Sequence, residues 1–267
     1  MSADKYFCMI HEGRCGSTVL ASLISQAPGI AHFNEILTRG SWISQDFSGS
    51  EMESLRDAYQ IRLPELCGFV RQLINHKIAK PHSHFISFEL KFNQFSQMQL
   101  SCDLPSLVET LDCGLGRVRY MFLTRRNILR RHVSALRCLY MGVSHASKIE
   151  EINLEKIKIT SETMSDWSYD FTQVYPSLPA LLEASEANQN KVREYATRNG
   201  HLYMEYEDFE QDPLSGMHQI LYFLGLPRFW AESPWLKSGD LPLADLIENF
   251  DEVFCALANT RWAWMLG

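Results

Sequence analysis

Residues 6–18, YFCMIHEGRCGST, decide the fold, because an apolar run leads through a glycine-containing turn into a helical pattern. The run Lys5–Ile10 predicts a strand, and apolar residues at helical spacing up to Pro28-Gly29 predict the helix that follows. A turn between a strand and a helix offers backbone N–H groups and the positive end of the helix to an anion. The sequence therefore predicts a strand–loop–helix unit for an anion, with an ordinary capped turn as the alternative.

Strands alternate with helices along the rest of the chain. The further predicted strands are Ile30–Phe33, His84–Phe92, Arg119–Thr124, Ile157–Thr160 and His201–Glu205. The further predicted helices are Leu104–Leu111, Asn127–Met141, Ser165–Asn199, Pro213–Leu224 and Leu243–Leu257. This order predicts an α/β fold, a single domain over residues 1–267 with a central, mainly parallel sheet flanked by helices.

The composition is that of a globular protein with an acidic surface. Of the 267 residues, 46% are hydrophobic and 21% are charged, which allows one large core and argues against disorder. The net charge of −7 makes general binding of nucleic acid or of an anionic membrane unfavourable. A bound anion must therefore be held by a local basic cluster.

Cysteine usage and hydropathy favour a soluble, cytoplasmic protein. The number of cysteines is seven, which is odd, and no two have CxxC spacing, so reduced thiols are expected. No metal site is predicted, because the two histidines of His82-Ser83-His84 lack a cysteine or carboxylate at zinc spacing. The N-terminal apolar run is too short for a signal sequence, and no later run approaches the about twenty apolar residues of a membrane span.

The loop GRCGST has the residues that phosphate binding needs. Two glycines let the backbone approach a ligand closely, the two hydroxyl residues donate hydrogen bonds, and Arg14 adds a positive charge. The predicted ligand-binding residues of the loop are Gly13, Arg14, Cys15, Gly16, Ser17 and Thr18. A nucleoside-triphosphate loop would carry Lys where this chain has Ser17, so chemistry on a magnesium nucleotide is disfavoured.

A second basic motif, RRNILRRHVSAL, follows the predicted strand Arg119–Thr124. Its first residues are arginines, where the magnesium-binding strand of an NTPase would end in Asp. Arg126 lies at the strand end and Ser134 lies eight residues later, about two helical turns, so both can reach one phosphate at the carboxyl edge of the sheet. The alternative is a solvated basic helix face, which suits the remaining arginines of the motif equally well.

Together these two motifs resemble the P-loop sulfotransferases. The resemblance implies that GRCGSTVL binds the 5′-phosphosulfate of 3′-phosphoadenosine 5′-phosphosulfate (PAPS), and that Arg126 and Ser134 bind its 3′-phosphate. The stretch HLYMEYEDFEQDPLSGMHQILYFLGLP and the ending LIENFDEVFCALANTRWAWML are also similar to the family. Arg14 stands where aryl and steroid members have Lys, so the chain looks closest to prokaryotic carbohydrate-type members, similar to the trehalose sulfotransferase group.

The resemblance implies a reaction and a set of site residues. The reaction is transfer of a sulfuryl group from PAPS to a hydroxyl of a small-molecule or carbohydrate-like acceptor, leaving adenosine 3′,5′-bisphosphate without a metal. Glu35 is implied as the general base, Arg14 as a further catalytic residue and Lys237 as a ligand of the 3′-phosphate. Lys91, at the end of the predicted strand His84–Phe92, is a further candidate for the catalytic site, as a charge stabiliser or an acceptor ligand. The alternatives are that Glu35 only solvates a turn and that Lys91 pairs with Glu89 on the same strand face.

Other assignments stay open. Residues 40–84 and 142–200 match nothing in the family and are expected to be insertions that shape the acceptor site. Trp167, Tyr169 and Phe171 are either core residues or a ligand platform, and His11 and His32 are more simply structural. The alternative functions are a P-loop kinase of a small metabolite and a non-catalytic nucleotide-binding protein. Acceptor identity and association into a homo-oligomer remain open.

Overall fold

The computed structural model describes residues 6–35, 67–68, 84–92, 103–141, 155–160, 163, 175–232 and 241–267. Its sheet strands are β1 (Tyr6–His11), β2 (Ile30–Glu35), β3 (Phe85–Lys91), β4 (Val118–Thr124) and β5 (Leu202–Glu205). They form one five-stranded sheet in the order β2-β3-β1-β4-β5, and every neighbouring pair is parallel. The predicted α/β class with a central parallel sheet is confirmed.

Helices follow most of the strands. In the described part of the chain these are α1 (Ser17–Gln26), α2 (Leu104–Leu115), α3 (Ile128–Met141), α4 (Leu178–Arg198), α5 (Tyr206–Gln211), α6 (Pro213–Leu224), α7 (Leu243–Leu246) and α8 (Phe250–Leu257). Several begin at the caps that the sequence offers. For example, Asp103 accepts a hydrogen bond from Ser106 N at 2.9 Å, and Asp212 accepts one from Ser215 N at 3.0 Å.

The two faces of the sheet are both apolar, as parallel sheets require. In β1, Phe7 and Met9 join the core on the side of α1 and α6, whereas Cys8 and Ile10 join the core on the side of α2. All four side chains are fully buried. Burial of each large apolar side chain contributes about 1.5–3 kcal/mol, so β1 stabilises the cores on both sides of the sheet.

The C-terminal segment differs from its prediction. Leu243–Leu257 was expected as one helix, but it is divided into α7 and α8, because Ile247 leaves the helix to form a parallel bridge with Ile157. Asn249 then binds the backbone of Ile159 through both its Oδ1 and its Nδ2. The predicted strand at residues 157–160 is therefore this single bridge, stabilised by side-chain contacts.

Helix α4 lies inside residues 142–200, which the sequence predicts to be an acceptor-site insertion. It begins after Ser177, whose hydroxyl accepts from Ala180 N at 3.3 Å, and it buries Leu181 and Leu182 against α3 and the C-terminal segment. This part of residues 142–200 therefore supports the core. Residues 165–171 and nearly all of 40–84 lie outside the described residues.

The topology places a crevice at the end of β1. The chain proceeds from β1 to β2 and β3 on one side of it, and to β4 and β5 on the other. In open α/β sheets ligands bind at such a switch point, beyond the carboxyl ends of the strands. In the described ranges, no helix is long and apolar enough to cross a membrane.

Candidate active site

The loop between β1 and α1 has an unusual backbone. Gly13, Arg14 and Gly16 have φ angles of 74°, 54° and 77°, all in the left-handed region. A Cβ atom added to Gly16 would lie 2.2 Å from the ring of Tyr206, so only glycine fits there. Arg14 is the only non-glycine residue with positive φ in the described part of the chain, and such a conformation costs about 1–3 kcal/mol. Strain of this size concentrates at functional sites.

The loop ends at the N-terminus of α1. Among the described residues no side chain caps this helix, and no acidic residue lies in its first turn. Ser17 is buried and begins the helix, with Thr18 beside it. The side chain of Cys15 is fully buried in the core beneath α1, so this residue can offer a ligand only its backbone. The helix end is suited to an anion.

Arg14 and Ser134 lie together although they are far apart in the sequence. Arg14 Nε donates a hydrogen bond to Ser134 Oγ at 3.2 Å. Burial lowers the pKa of Arg14, and the nearby charge of Glu35 raises it. A guanidinium remains charged under such shifts, so Arg14 places a partly desolvated positive charge between the Gly13–Thr18 loop and α3.

Glu35 and Lys91 form an ion pair at the neighbouring strand ends. Glu35 Oε2 and Lys91 Nζ are 2.5 Å apart, and both side chains are about one-fifth exposed. The stem of Lys91 passes over the loop, because a Cβ added to Gly13 would lie 3.7 Å from Lys91 Cδ. The structure therefore brings a carboxylate and an ammonium group together at the phosphate loop.

The alternative pairing of Lys91 with Glu89 is wrong. Glu89 is buried and contacts two imidazoles, with His11 Nε2 at 3.2 Å from Oε2 and His32 Nε2 at 3.0 Å from Oε1. Burial raises the pKa of Glu89, but hydrogen bonds to the two histidines outweigh it and lower the pKa to about 2. Glu89 is therefore ionised and contacts the two histidines, whereas Lys91 contacts Glu35.

A β-bulge decides where Glu35 points. In the pairing of β2 with β3, His32 stands opposite Ser87 and Glu35 stands opposite Glu89, so β2 advances three positions while β3 advances two. Without the extra residue, Glu35 would stand opposite Leu90 and face the core on the side of α2. Because of the bulge, Glu35 shares a face with Glu89 and Lys91.

Arg126 is engaged with acidic residues at β5 and α5. Its Nε lies 2.5 Å from Glu205 Oε2, its Nη2 binds Asp208 Oδ1, and its backbone N donates to Glu207 Oε2 at 2.8 Å. The hydrogen bond to Glu205 is the main cause that raises the pKa of Arg126. Ser134 is bonded to Arg14 instead, so the hydrogen bonds of the described residues place the two predicted 3′-phosphate ligands with different partners.

Arg125, which the sequence alone does not single out, lies against the Gly13–Thr18 loop. Its Nη1 donates to the carbonyl oxygen of Arg14 at 3.3 Å, and its guanidinium lies 5.0 Å from the centre of the Tyr206 ring. Tyr206 is the residue that also covers Gly16. Tandem arginines give no sequence signal of which one faces the loop.

Buried polar residues support the loop from below. Gln189 of α4 donates from Nε2 to Glu12 Oε2 and to the carbonyl oxygen of Arg125, both at 2.9 Å. Arg131 Nε lies 3.5 Å from the same Glu12 oxygen. Burial raises the pKa of Glu12, and the charge of Arg131 acts in the opposite direction. This cluster connects the start of the loop to α3 and α4, and the local sequence does not predict it.

One group of side chains could bridge a cation. Ligand atoms of His11, Glu35 and Glu89 all lie within 4.8 Å of one another. However, Lys91 binds Glu35, and the imidazole of His32 binds Glu89, so positive and hydrogen-bonding groups already contact both carboxylates.

Lys237 lies outside the described residues.

Comparison with known proteins places the fold. No protein-family model matches the sequence, and no curated protein matches it. Among solved structures, the chain is similar to a sulfotransferase from Alicyclobacillus acidocaldarius, with 14% sequence identity and a TM-score of 0.51. The match covers 99% of this chain and 94% of that one. At this identity the likeness concerns the fold, which is that of a bacterial sulfotransferase.

Proposed function

We propose that this protein is a sulfotransferase that moves the sulfuryl group of PAPS to a hydroxyl of a small-molecule or carbohydrate-like acceptor. The observation that carries the proposal is the Glu35–Lys91 pair, which lies over Gly13 in a loop built to hold an anion. A carboxylate that takes a proton and a cation that stabilises a leaving phosphate are the two groups that sulfuryl transfer needs. The sulfotransferase fold and the motif resemblance support the same reaction.

The donor is proposed to occupy the loop. The backbone N–H groups from Arg14 to Thr18 and the end of α1 receive the 5′-phosphosulfate, Gly13 lets the loop approach it closely, and Arg14 contributes a charged hydrogen bond. Ser134 and Arg126 are proposed as ligands of the 3′-phosphate, with Arg126 exchanging a carboxylate for the phosphate. Lys237 is proposed to join them. Adenosine 3′,5′-bisphosphate is the product.

The proposed chemistry is one in-line transfer. Glu35 accepts the proton of the acceptor hydroxyl as the acceptor oxygen bonds to sulfur. The bond between sulfur and the bridging oxygen of the 5′-phosphate breaks, and its electron pair stays on that oxygen. Lys91, Arg14 and the loop amides stabilise the negative charge that develops there. Before the reaction Lys91 Nζ contacts Glu35 Oε2, which keeps the two groups together at the loop.

Transfer of labelled sulfur tests the proposal. Wild-type protein is incubated with 35S-labelled PAPS and a panel of sugars, lipid headgroups and aromatic alcohols, with a chelator present. Label is expected in an acceptor, together with release of equal amounts of the bisphosphate, and Glu35→Gln is expected to slow both by about 10²–10⁴. Bisphosphate release that proceeds equally well in Glu35→Gln would contradict the assigned base.

A small-metabolite kinase is the competing function. It would require magnesium-dependent binding of ATP, yet the loop carries Ser17 in place of the lysine and β4 ends before arginines in place of an aspartate. A non-catalytic nucleotide-binding protein would need neither Glu35 nor Lys91. Tight binding of magnesium ATP would favour the kinase over the sulfotransferase.

A further inference from the structure

A chain of buried polar contacts runs beneath the proposed active site from the phosphate loop to β2. Gly13 N donates to His11 Nδ1 at 3.1 Å, and His11 Nε2 lies 3.2 Å from Glu89. The other oxygen of Glu89 lies 3.0 Å from His32 Nε2, and His32 Nδ1 lies 3.0 Å from Ser87 Oγ. The side chains of His11, Glu89 and His32 are 0%, 3% and 1% exposed.

These contacts fix which ring atoms carry protons. Nδ1 of His11 needs a lone pair to accept the hydrogen of Gly13 N, so its proton must be on Nε2, facing Glu89. Burial lowers the pKa of His11, but hydrogen bonds to Cys15 and Glu89 outweigh it and raise the pKa to about 10, which favours a charged ring. The hydrogen bond that Nδ1 accepts from Gly13 N is the stronger evidence, because it needs a free lone pair. A second ring proton would face the Gly13 hydrogen, so we assign the neutral Nε2–H tautomer. The carboxylate of Glu89, 3.2 Å from Nε2, favours a proton on that atom electrostatically.

The other end of the chain of contacts lies next to the β-bulge that turns Glu35. His32 is the last residue of β2 in regular register before the bulge, and Glu35 is the first residue after it. The Glu89–His32 contact holds β2 against β3 at the residue just before the bulge. Glu35 stands opposite Glu89 in the pairing, so the residue that contacts His32 also lies beside Glu35.

We propose that Glu89 is a positioning residue that, through His11 and His32, holds the phosphate loop and Glu35 in one fixed arrangement. The inference rests on the proposed function, because it treats the loop as the donor site and Glu35 as the base. Glu89 itself touches neither donor nor acceptor. Its two arms act on different steps: His11 holds Gly13 for donor binding, and His32 holds Glu35 for transfer.

Substitution of each arm tests the separation. His32→Leu removes the anchor of the bulge, so kcat is expected to fall about tenfold or more while the Kd of adenosine 3′,5′-bisphosphate changes by less than about twofold. His32→Gln keeps an N–H for Glu89 and should recover most of the lost kcat. His11→Leu releases the Gly13 amide and should raise the bisphosphate Kd roughly two- to tenfold, the effect of one neutral hydrogen bond.

A matched control separates positioning from general destabilisation. Tyr120→Phe removes buried hydrogen bonds to Val108 and Asp112 on the opposite face of the sheet, so it should lower Tm without changing kcat or Kd. The proposal is overturned if His32→Leu turns over normally, or if both histidine variants change kcat and Kd by the same factor.

One readout does not depend on catalysis. The 15N shifts of the His11 ring in the full-length wild-type protein are expected to show a protonated Nε2 and an unprotonated Nδ1, and Glu89→Leu should abolish this pattern. If the wild type transfers no sulfuryl group, the proposed function fails, but the ring measurement still tests whether the contacts of His11 with Gly13 and Glu89 exist. A His11 ring protonated at Nδ1 would overturn the inference.

Discussion

The carboxylate of Glu35 binds the ammonium group of Lys91, with Oε2 and Nζ 2.5 Å apart, at the ends of two neighbouring parallel strands. A carboxylate and an ammonium group in direct contact suit the proposed reaction, in which one takes a proton and the other stabilises a leaving anion. Both side chains are partly exposed.

Loss of the base should affect turnover alone. Glu35→Gln is expected to lower kcat by about 10²–10⁴, because an amide cannot take the acceptor proton. The Kd of the bisphosphate should stay within about twofold, which calorimetry measures. Glu183→Gln, at an exposed carboxylate of α4, is the control and should behave as wild type. Normal turnover by Glu35→Gln would assign the base elsewhere.

Lys91 should matter through its charge. Lys91→Gln is expected to lower kcat by about 10²–10³, the range for removal of one group that stabilises developing negative charge. Lys91→Arg retains the charge and should recover part of the rate. The exposed Lys191→Gln serves as the matched control. Equal rates for Lys91→Gln and Lys91→Arg would exclude a role for the charge.

Arg14 and Ser134 should act as a coupled pair in donor binding. Arg14→Ala is expected to weaken bisphosphate binding by about 1.5–3 kcal/mol, and Ser134→Ala by about 0.5–1.5 kcal/mol. Because Arg14 Nε donates to Ser134 Oγ, the double variant should lose less than the sum. Calorimetry on all four proteins gives the coupling. Strictly additive losses would mean that the pair does not persist in the bound state.

Release of Arg126 should strengthen binding of the 3′-phosphate. Asp208 is largely exposed and competes with the phosphate for Arg126, so Asp208→Asn is expected to tighten bisphosphate binding by up to about 1 kcal/mol, on the order of fivefold. The same substitution should have no effect in an Arg126→Ala background. If Asp208→Asn tightens binding equally without Arg126, that arginine is not the ligand.

Glu89 should make the fold sensitive to acid. Its pKa of about 2 in the folded protein lies below the ordinary value of 4.5, so its stabilising contribution is present above about pH 4.5 and is lost as the pH falls towards 2. Glu89→Gln should therefore lower Tm near neutral pH, and the difference from wild type should narrow over that interval. Thermal unfolding as a function of pH measures this. A Tm difference between the two proteins that stays constant down to pH 2 would mean that the histidines do not lower the pKa of Glu89.

The sequence predicts the sheet and the phosphate loop because both depend on local patterns. The apolar run of β1, the glycines of the loop and the spacing of Arg126 and Ser134 are all readable within a few turns of chain. Glu35 and Lys91 were selected because each ends a strand, and the parallel pairing brings these ends together.

What the sequence does not predict depends on register and on distant partners. Period-two alternation cannot reveal the bulge before Glu35, since one extra residue reverses the face of everything after it. The same alternation suggested a Glu89–Lys91 pair, which two histidines from other strands prevent. Gln189 supports the loop from α4, and no local signal could connect it to Glu12.

The most direct test of the account is calorimetric binding of three nucleotides to the wild-type protein. Adenosine 3′,5′-bisphosphate should bind at least about tenfold more tightly than adenosine 5′-phosphate, because its second phosphate gains at least one charged hydrogen bond. It should also bind more tightly than magnesium ATP, and a chelator should not change its Kd. A 3′-phosphate that adds no affinity, or magnesium ATP as the tightest ligand, would contradict a PAPS-dependent sulfotransferase.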